Sequence, residues 1–405
     1  MAGDGALVIG ADYRALGVVR SLGRHGIQVW VLTNEHRVAT TSRYAHRHSS
    51  WPRGDGARQL AYLLDMCDQH KLDGWTVFPT DDETTAFLSR HHSIVSKRFR
   101  MITPPWEVIR WCYDKRLTHR IAGEIGLHQP RTYVPATRQE VAVLDCTFPV
   151  ILKPAFKPDI NPFTHAKAWR ADDRETLVSS YDRACRLVDP GIIMVQEWIP
   201  DSGADQFSYA ALCLEGHPQV SMTARRTRQY PMDFGRASSY VESLELPEIE
   251  EPSRRLLKAI RLNGLVEVEY KRDPRDGFCK LLDINSRVWG WHTLGLRAGV
   301  DFPYLQWQLI HGEPLSEIIP QIGVRWIRML TDLPAAVGEI LHGRLSLSGY
   351  LRSLRGPIEF SIFAPDDPLP ALLDVPFLVW LFLERRSRRR AARSPYEDLH
   401  VRNGI

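Results

Sequence analysis

The segment Gly264–Gly290, GLVEVEYKRDPRDGFCKLLDINSRVWG, constrains the fold of this 405-residue chain more than any other. Its first half alternates, so Val266, Val268 and Tyr270 face one way and Glu267, Glu269 and Lys271 the other, as in a strand with one buried face. Asp273-Pro274-Arg275-Asp276-Gly277 supplies turn chemistry, and in the second strand the same period sets Leu281, Asp283, Asn285 and Arg287 on one face. The segment therefore reads as an antiparallel hairpin on which acids, an amide and cations converge. Two carboxylates and an amide oxygen on adjacent strands form a hard oxygen set that suits Mg2+, an ion that keeps waters and takes other ligands from phosphates. A salt-bridged solvent face is the competing reading. Trp289-Gly290-Trp291 directly after the hairpin weighs against it, because ordinary solvent faces do not end in large aromatics.

The preceding chain frames this hairpin. ALVIGA from Ala6, a helical stretch from Tyr13 to His25 and IQVWVLT ending at Thr33 make a βαβ unit of parallel type. With apolar runs at Gly74–Thr80 and Arg100–Pro104, the first hundred residues read as an open α/β layer. The turn from Gly10 to Gly17 resembles a dinucleotide fingerprint, but Asp12 replaces the glycine that lets backbone approach a pyrophosphate. A structural turn and a small-molecule contact both remain open there. Thr80-Asp81-Asp82-Glu83 ends the third strand, where open sheets bind ligands, and reads equally well as a helix N-cap with an acidic first turn.

Trp106–Gly123 has helical spacing, with Asp114-Lys115 in its middle. The strand Phe148–Ala155 ends its apolar run at Lys153, whose charge must reach water or an anion. The polar, proline-broken stretch Lys157–Lys167 is long enough for a lid, and a second strand, Ile192–Pro200, ends in a polar pair. Strands over Gln206–Leu214 and Val220–Tyr230 follow, and the arginines of the second read either as a solvated face or, because strict alternation places Arg226 and Arg228 on one side, as an anion clamp.

The ordered set Asp114-Lys115, Phe148–Pro154, Gln196-Glu197-Trp198-Ile199, Val268-Glu269-Tyr270-Lys271 and Leu282–Arg287 resembles the ATP-grasp superfamily over residues 1–315. The resemblance implies a fold of class α/β and α+β: an N-terminal pre-ATP-grasp domain over 1–105, a two-lobed ATP-grasp domain over 106–318 with subdomains of about 115–195 and 196–318, a C-terminal appendage over 319–383 and a basic tail over 384–405. It implies ATP and Mg2+ as cofactors. Lys115 and Lys153 would hold phosphates, and Gln196, Glu197, Trp198 and Ile199 would form the hinge that receives adenine. Asp205 would take the ribose, and Glu269, Asp283 and Asn285 would hold the metal. Arg287 and Arg228 would contact the reacting phosphoryl and acyl groups. Lys271 and Trp289 look like the predicted carboxylate-amine ligase subgroup that includes D-aspartate ligase, which implies amide formation through an acyl phosphate from small carboxylate and amine substrates. Two departures stand out: a lid without glycines, in which Lys157 or Lys167 would replace backbone amides, and Asp283 where the family more often has Glu. A Rossmann-type oxidoreductase and a non-catalytic nucleotide-binding module are the alternatives.

Composition narrows the remaining classes. With 44% hydrophobic and 25% charged residues the chain has ample material for a core, which excludes disorder and low-complexity classes. The six cysteines lack C-x-x-C pairing and read as buried thiols in a reducing compartment. The net charge of +4 lies wholly in residues 384–405, which hold seven arginines and three acids, so nucleic acid is not expected in the cleft. No apolar run reaches the roughly 18 residues of a spanning helix, and a cytoplasmic protein is expected. FLVWLFL at 377–383, joined to arginines through Arg393, reads as a terminal helix packed on the body with a solvated tail, with peripheral contact with the inner face of a membrane as the alternative. A homodimer is compatible with the sequence.

Overall fold

The computed structural model describes residues 4–157, 161–166, 168–200, 205–230 and 237–393, with residues 387–393 as backbone only. The expected lid residues Pro158, Asp159, Ile160 and Lys167 and the tail beyond Arg393 lie outside the described residues. Two compact units form: Met1–Phe78 with Ile362–Ile405, and Pro79–Ser361.

In the first unit, β1 (Gly5–Ile9), α1 (Tyr13–Arg24), β2 (Gln28–Thr33), β3 (Arg47–Ser50), α2 (Gly56–His70) and β4 (Thr76–Pro79) build a sheet ordered β3-β2-β1-β4. β2 pairs parallel with both β1 and β3, as the βαβ reading requires. β3 is Arg-His-Ser-Ser, a mostly exposed edge strand that no apolar period announces, whereas Met101–Pro104 forms no strand. Asp12 caps α1, its Oδ1 accepting from the backbone N–H groups of Arg14 (2.9 Å) and Ala15 (3.3 Å), and its Oδ2 from Arg14 Nε (2.8 Å). Burial pushes the Asp12 carboxyl up, but Arg14 outweighs it and holds the pKa at about 2. The helix end where a dinucleotide fold seats its pyrophosphate is thus filled by the chain's own carboxylate.

In the second unit, α3 (Asp82–Arg90) and α4 (His92–Val95) precede α5 (Trp106–Tyr113) and α6 (Lys115–Glu124). The single helix expected over 106–123 is therefore two. Asp114 is extended (φ −100°, ψ 108°) and caps α6, accepting from the Arg116 N–H at 3.0 Å, so Lys115 opens a helix instead of lying within one.

A small sheet follows, made of β5 (Thr132–Tyr133), β6 (Val150–Pro154), β7 (Trp169–Ala171) and β8 (Ile193–Glu197) in the order β5-β8-β6-β7. With α7 (Arg138–Ala142), α8 (Pro162–Ala166) and α9 (Arg174–Cys185) it forms the first lobe, around Val150, Leu152, Leu177, Tyr181 and Val195. The second lobe contains β9 (Gln206–Leu214), β10 (His217–Tyr230), β11 (Ala237–Leu244), α10 (Pro247–Ile260), β12 (Gly264–Arg272), β13 (Cys279–Asn285), α11 (Thr293–Arg297), α12 (Phe302–Ile310), β14 (Arg325–Ile327), α13 (Met329–Leu341), α14 (Leu347–Ser353) and β15 (Ile358–Phe360). Its seven strands run β13-β12-β9-β10-β11-β14-β15.

The expected boundaries do not coincide with these bodies. Ile109, Cys112, Ala122 and Leu127 of the α5–α6 region join the core of β9, β12, β13 and α10, so these helices belong with the second lobe and not with the first. The segment read as an appendage over 319–383 is divided. β14 and β15 extend the large sheet, β14 pairing antiparallel with β11, whereas residues from Ile362 onward, including α15 (Leu369–Arg393), belong to the first unit.

Two bulges also change side-chain parity. Between the pairs Glu269↔Asp283 and Tyr270↔Leu281, β13 carries the extra residue Leu282, so Leu281 turns into the core and does not share the face of Asp283 and Asn285. Between Arg226↔Val241 and Arg228↔Tyr240, β10 carries Thr227 in the same way, which separates the two arginines of the expected clamp.

Candidate active site

The strand and cap that end at Lys153 and Lys115 bring two ammonium groups beside the β12–β13 hairpin. The Lys115 backbone N–H donates to the Ala155 carbonyl (3.0 Å), tying the start of α6 to the end of β6. Lys115 Nζ donates to Asp283 Oδ1 at 2.9 Å and lies 2.8 Å from Oδ2. Burial works against the Lys115 charge, but Asp283 outweighs it and raises the pKa. Lys153 is 9% exposed and has no hydrogen-bond or ion-pair partner among the described residues. Burial first, then the positive Lys115, lower its pKa to about 8, while Asp283 and Glu269 act in the opposite direction.

On the hairpin, Glu267, Glu269, Asp283 and Asn285 face one another across paired positions. Asn285 Nδ2 donates to Glu267 Oε2 (3.0 Å) and Glu269 Oε1 (2.8 Å), and its Oδ1 accepts from Arg287 (3.0 Å). Arg287 Nε also donates to Asp82 Oδ1 (2.7 Å), while Asp81 caps α3 by accepting from the Thr84 N–H (2.7 Å). Both readings of Thr80–Glu83 thus hold at adjacent residues: Asp81 is the cap, and Asp82 faces the site. Arg226 pairs with Glu269 (3.2 Å) and with Gln206.

Glu267, absent from the expected site, is its most enclosed carboxyl. It accepts from Ser208 Oγ (2.9 Å) and Trp291 Nε1 (2.7 Å) as well as from Asn285. Burial, then the adjacent Glu269 charge, raises its pKa to about 7. The alternation at 266–271 already put Glu267 on this face, and Trp291 is one of the two aromatics that singled out the segment.

At the connection between the lobes, Gln196 is buried and donates through Nε2 to Thr132 Oγ1 (2.7 Å) and His119 Nε2 (3.0 Å), while His119 Nδ1 lies 2.8 Å from Gln129 Oε1. Burial, then Lys153, lowers the His119 pKa to about 3, so the ring is neutral and completes a chain of hydrogen bonds behind the lysines. Glu197 accepts from the Arg131 N–H (3.1 Å) and Arg275 (2.6 Å), the Trp198 N–H donates to Pro149 O (3.3 Å), and Ile199 O accepts from Lys271 Nζ (2.7 Å).

The structure thus gathers Lys115, Lys153, Glu269, Asp283, Asn285 and Arg287. It does not bring Arg228 or Lys271 to that group. Arg228 is buried against Asp332 of α13 (2.7 Å), because the bulge turns it to the other face, and Lys271 lies at the hinge. Asp205 pairs with Arg225 (3.1 Å), and its carbonyl accepts from the Arg272 N–H (3.0 Å).

Among solved structures, an L-amino acid ligase from Bacillus licheniformis is 16% identical with a TM-score of 0.62, covering 78% of each chain. The biotin carboxylase domain of a Hydrogenobacter thermophilus 2-oxoglutarate carboxylase, solved with MgADP and bicarbonate, is 17% identical with a TM-score of 0.61 over 79% of this chain and 73% of that one. A phosphoribosylglycinamide synthetase from Anaerococcus prevotii is 16% identical with a TM-score of 0.56 over 76% and 75%. No curated protein sequence matches the chain. The fold is that of the ATP-grasp proteins. Within it, residues 208–330 match the family described as "ATP-grasp in the biosynthetic pathway with Ter operon".

Proposed function

We propose that the chain is an ATP-dependent ligase that joins a carboxylate to an amine. The observation that carries this reading is Lys153, a buried ammonium with no hydrogen-bond or ion-pair partner among the described residues, placed beside a second lysine and the carboxylate and amide oxygens of Glu269, Asp283 and Asn285. A buried cation of this kind is stabilised by an anion, and the donor set beside it suits Mg2+. Among the described residues no group of three His, Cys, Asp or Glu side chains could hold a metal alone, so the nucleotide's own oxygens and water would complete the shell. Neighbours of the same fold include a protein named as an L-amino acid ligase and one solved with MgADP and bicarbonate.

When bound, MgATP supplies the γ-phosphoryl group that converts a carboxylate into an acyl phosphate with loss of ADP, and an amine then displaces phosphate to give the amide. The chain's part is positioning and electrostatics. Lys153 and Lys115 would hold the phosphates, and Asp283, which pairs with Lys115, would with Glu269 and Asn285 hold the metal. Glu267 fixes the Asn285 amide, and Arg287, steadied by Asp82, faces the acyl end together with Arg226. Gln196 to Ile199, with Lys271 and Asp205 alongside, frame the adenosine side.

ADP release tested against panels of acids and amines examines this reading. Release that requires both co-substrates and is lost in Asp283→Ala is expected. Removing one electrostatic contact to the developing charge costs about 2.7–4 kcal/mol, a loss of roughly 100-fold or more. MgATP binding with no turnover on any pair would leave only the non-catalytic module.

A further inference from the structure

The C-terminal helix α15 is amphipathic in an unusual sense. Pro370, Asp374 and Leu381 are buried and Phe377 is half-buried, and they form its inner side at spacings of four and three. Trp380, at the edge, is covered by the Arg37 guanidinium 4.5 Å from its ring. The outer side is apolar too: Leu369, Leu372, Val375, Val379 and Phe382 follow one another at spacings of three or four, with Leu383 beside them, and all are exposed, Leu372 by 72% and Phe382 by 63%. Arg386 is exposed and prolongs the same stripe one turn beyond Phe382. The sequence then continues through Arg388, Arg389, Arg390 and Arg393.

We propose that α15 seats the protein on an anionic lipid surface. Charge complementarity decides the occupant. The stripe carries no acidic residue, and the nearby acids are committed elsewhere: Asp366 to Arg24 and Tyr44, Asp367 to Arg20 and Ser42, Asp374 to the buried side and Glu35 to Arg385 and Arg53, while Glu384 is half-buried and has an interaction of its own. A second copy laid on this face meets the arginines with a stripe that itself carries no acidic residue, whereas a bilayer with anionic headgroups supplies both apolar depth and negative charge. Among the described residues no helix is long and apolar enough to cross a membrane, so the contact lies in the interface plane. This inference is independent of the ligase reading.

Co-sedimentation of the full chain with vesicles tests it. Wild type should bind vesicles of phosphatidylcholine with phosphatidylglycerol, bind vesicles of phosphatidylcholine alone far more weakly, and dissociate as salt rises. Val379→Glu with Phe382→Glu should lower the bound fraction about tenfold or more, because both changes place charge in the exposed stripe that would enter the lipid, while Tm stays unchanged. Arg388→Glu with Arg389→Glu should weaken binding to the anionic vesicles alone. Equal binding by the Val379→Glu/Phe382→Glu protein overturns the proposal. So does a wild-type dimer that ignores vesicles and falls to monomer in that variant, which would make the stripe a self-association face.

Discussion

Lys153 and Arg228 are both buried cations on strands of the second unit, and they have opposite surroundings. Arg228 is paired: Nε and a terminal nitrogen donate to Asp332 (2.7 and 3.0 Å), another terminal nitrogen donates to Ser353 (3.2 Å), and the Tyr240 ring lies 4.0 Å away. Lys153 has burial and a like-charged neighbour against it, the Asp283 and Glu269 charges only partly offsetting them, and no hydrogen-bond or ion-pair partner among the described residues. A satisfied buried charge fixes α13 against the sheet. An unsatisfied one raises the energy of the empty site and lowers it when an anion arrives. The contrast separates architecture from function at residues that look equally basic in the sequence.

The contrast is broken most severely from the architectural side. Asp332→Ala leaves Arg228 buried and unpaired and should cost about 3–5 kcal/mol of stability, read as a shift in denaturant midpoint. Nucleotide affinity of the protein that remains folded should be unchanged.

Lys153→Met should do the reverse and stabilise the ligand-free protein, since each unit by which burial lowers a pKa corresponds to about 1.4 kcal/mol. The sign in pH follows from linkage. The Lys153 pKa of about 8 lies below the ordinary lysine value of 10.5, so between those limits the unfolded chain binds more protons than the folded one. Stability from this group therefore rises as pH increases through that window, and thermal melts of Lys153→Met should lose that rise.

Glu267→Gln probes the carboxyl beneath the proposed metal-binding face. Its amide can no longer accept from Ser208, Trp291 and Asn285 together, so the Asn285 side chain loses its fixed orientation. Loss of a hydrogen bond that orients a metal-facing side chain costs about 10–100-fold in metal affinity, to be measured as the Mg2+ dependence of nucleotide binding, with the fold retained by circular dichroism. The smallest effect belongs to Asp82→Asn. Asp82 is half-exposed, and its pair with Arg287 should contribute no more than about 1 kcal/mol, visible as a modest rise in KM for the acid.

Much of this was legible in the sequence. The alternation in Gly264–Lys271, the strand ending at Lys153 and the apolar run before Gln196 are local signals, and each appears where expected. Two parity reversals were not legible, because a bulge inserts one residue through pairing with a distant strand. Leu282 and Thr227 look like ordinary strand residues, yet they send Leu281 into the core and Arg228 away from Arg226. Asp114 was read inside a helix because Trp106–Gly123 keeps its apolar spacing across the break. The appendage was mis-assigned because β14 and β15 are three-residue strands whose place depends on β11 and not on any pattern of their own.

The most direct test of the central claim is MgATP affinity, measured by calorimetry, in wild type and Lys153→Met. Loss of one charge-assisted contact to a phosphate predicts weakening of about tenfold to a hundredfold, together with a higher Tm for the ligand-free variant. A variant that binds MgATP as tightly as wild type would contradict the account, because Lys153 would then be a buried charge with no ligand to hold.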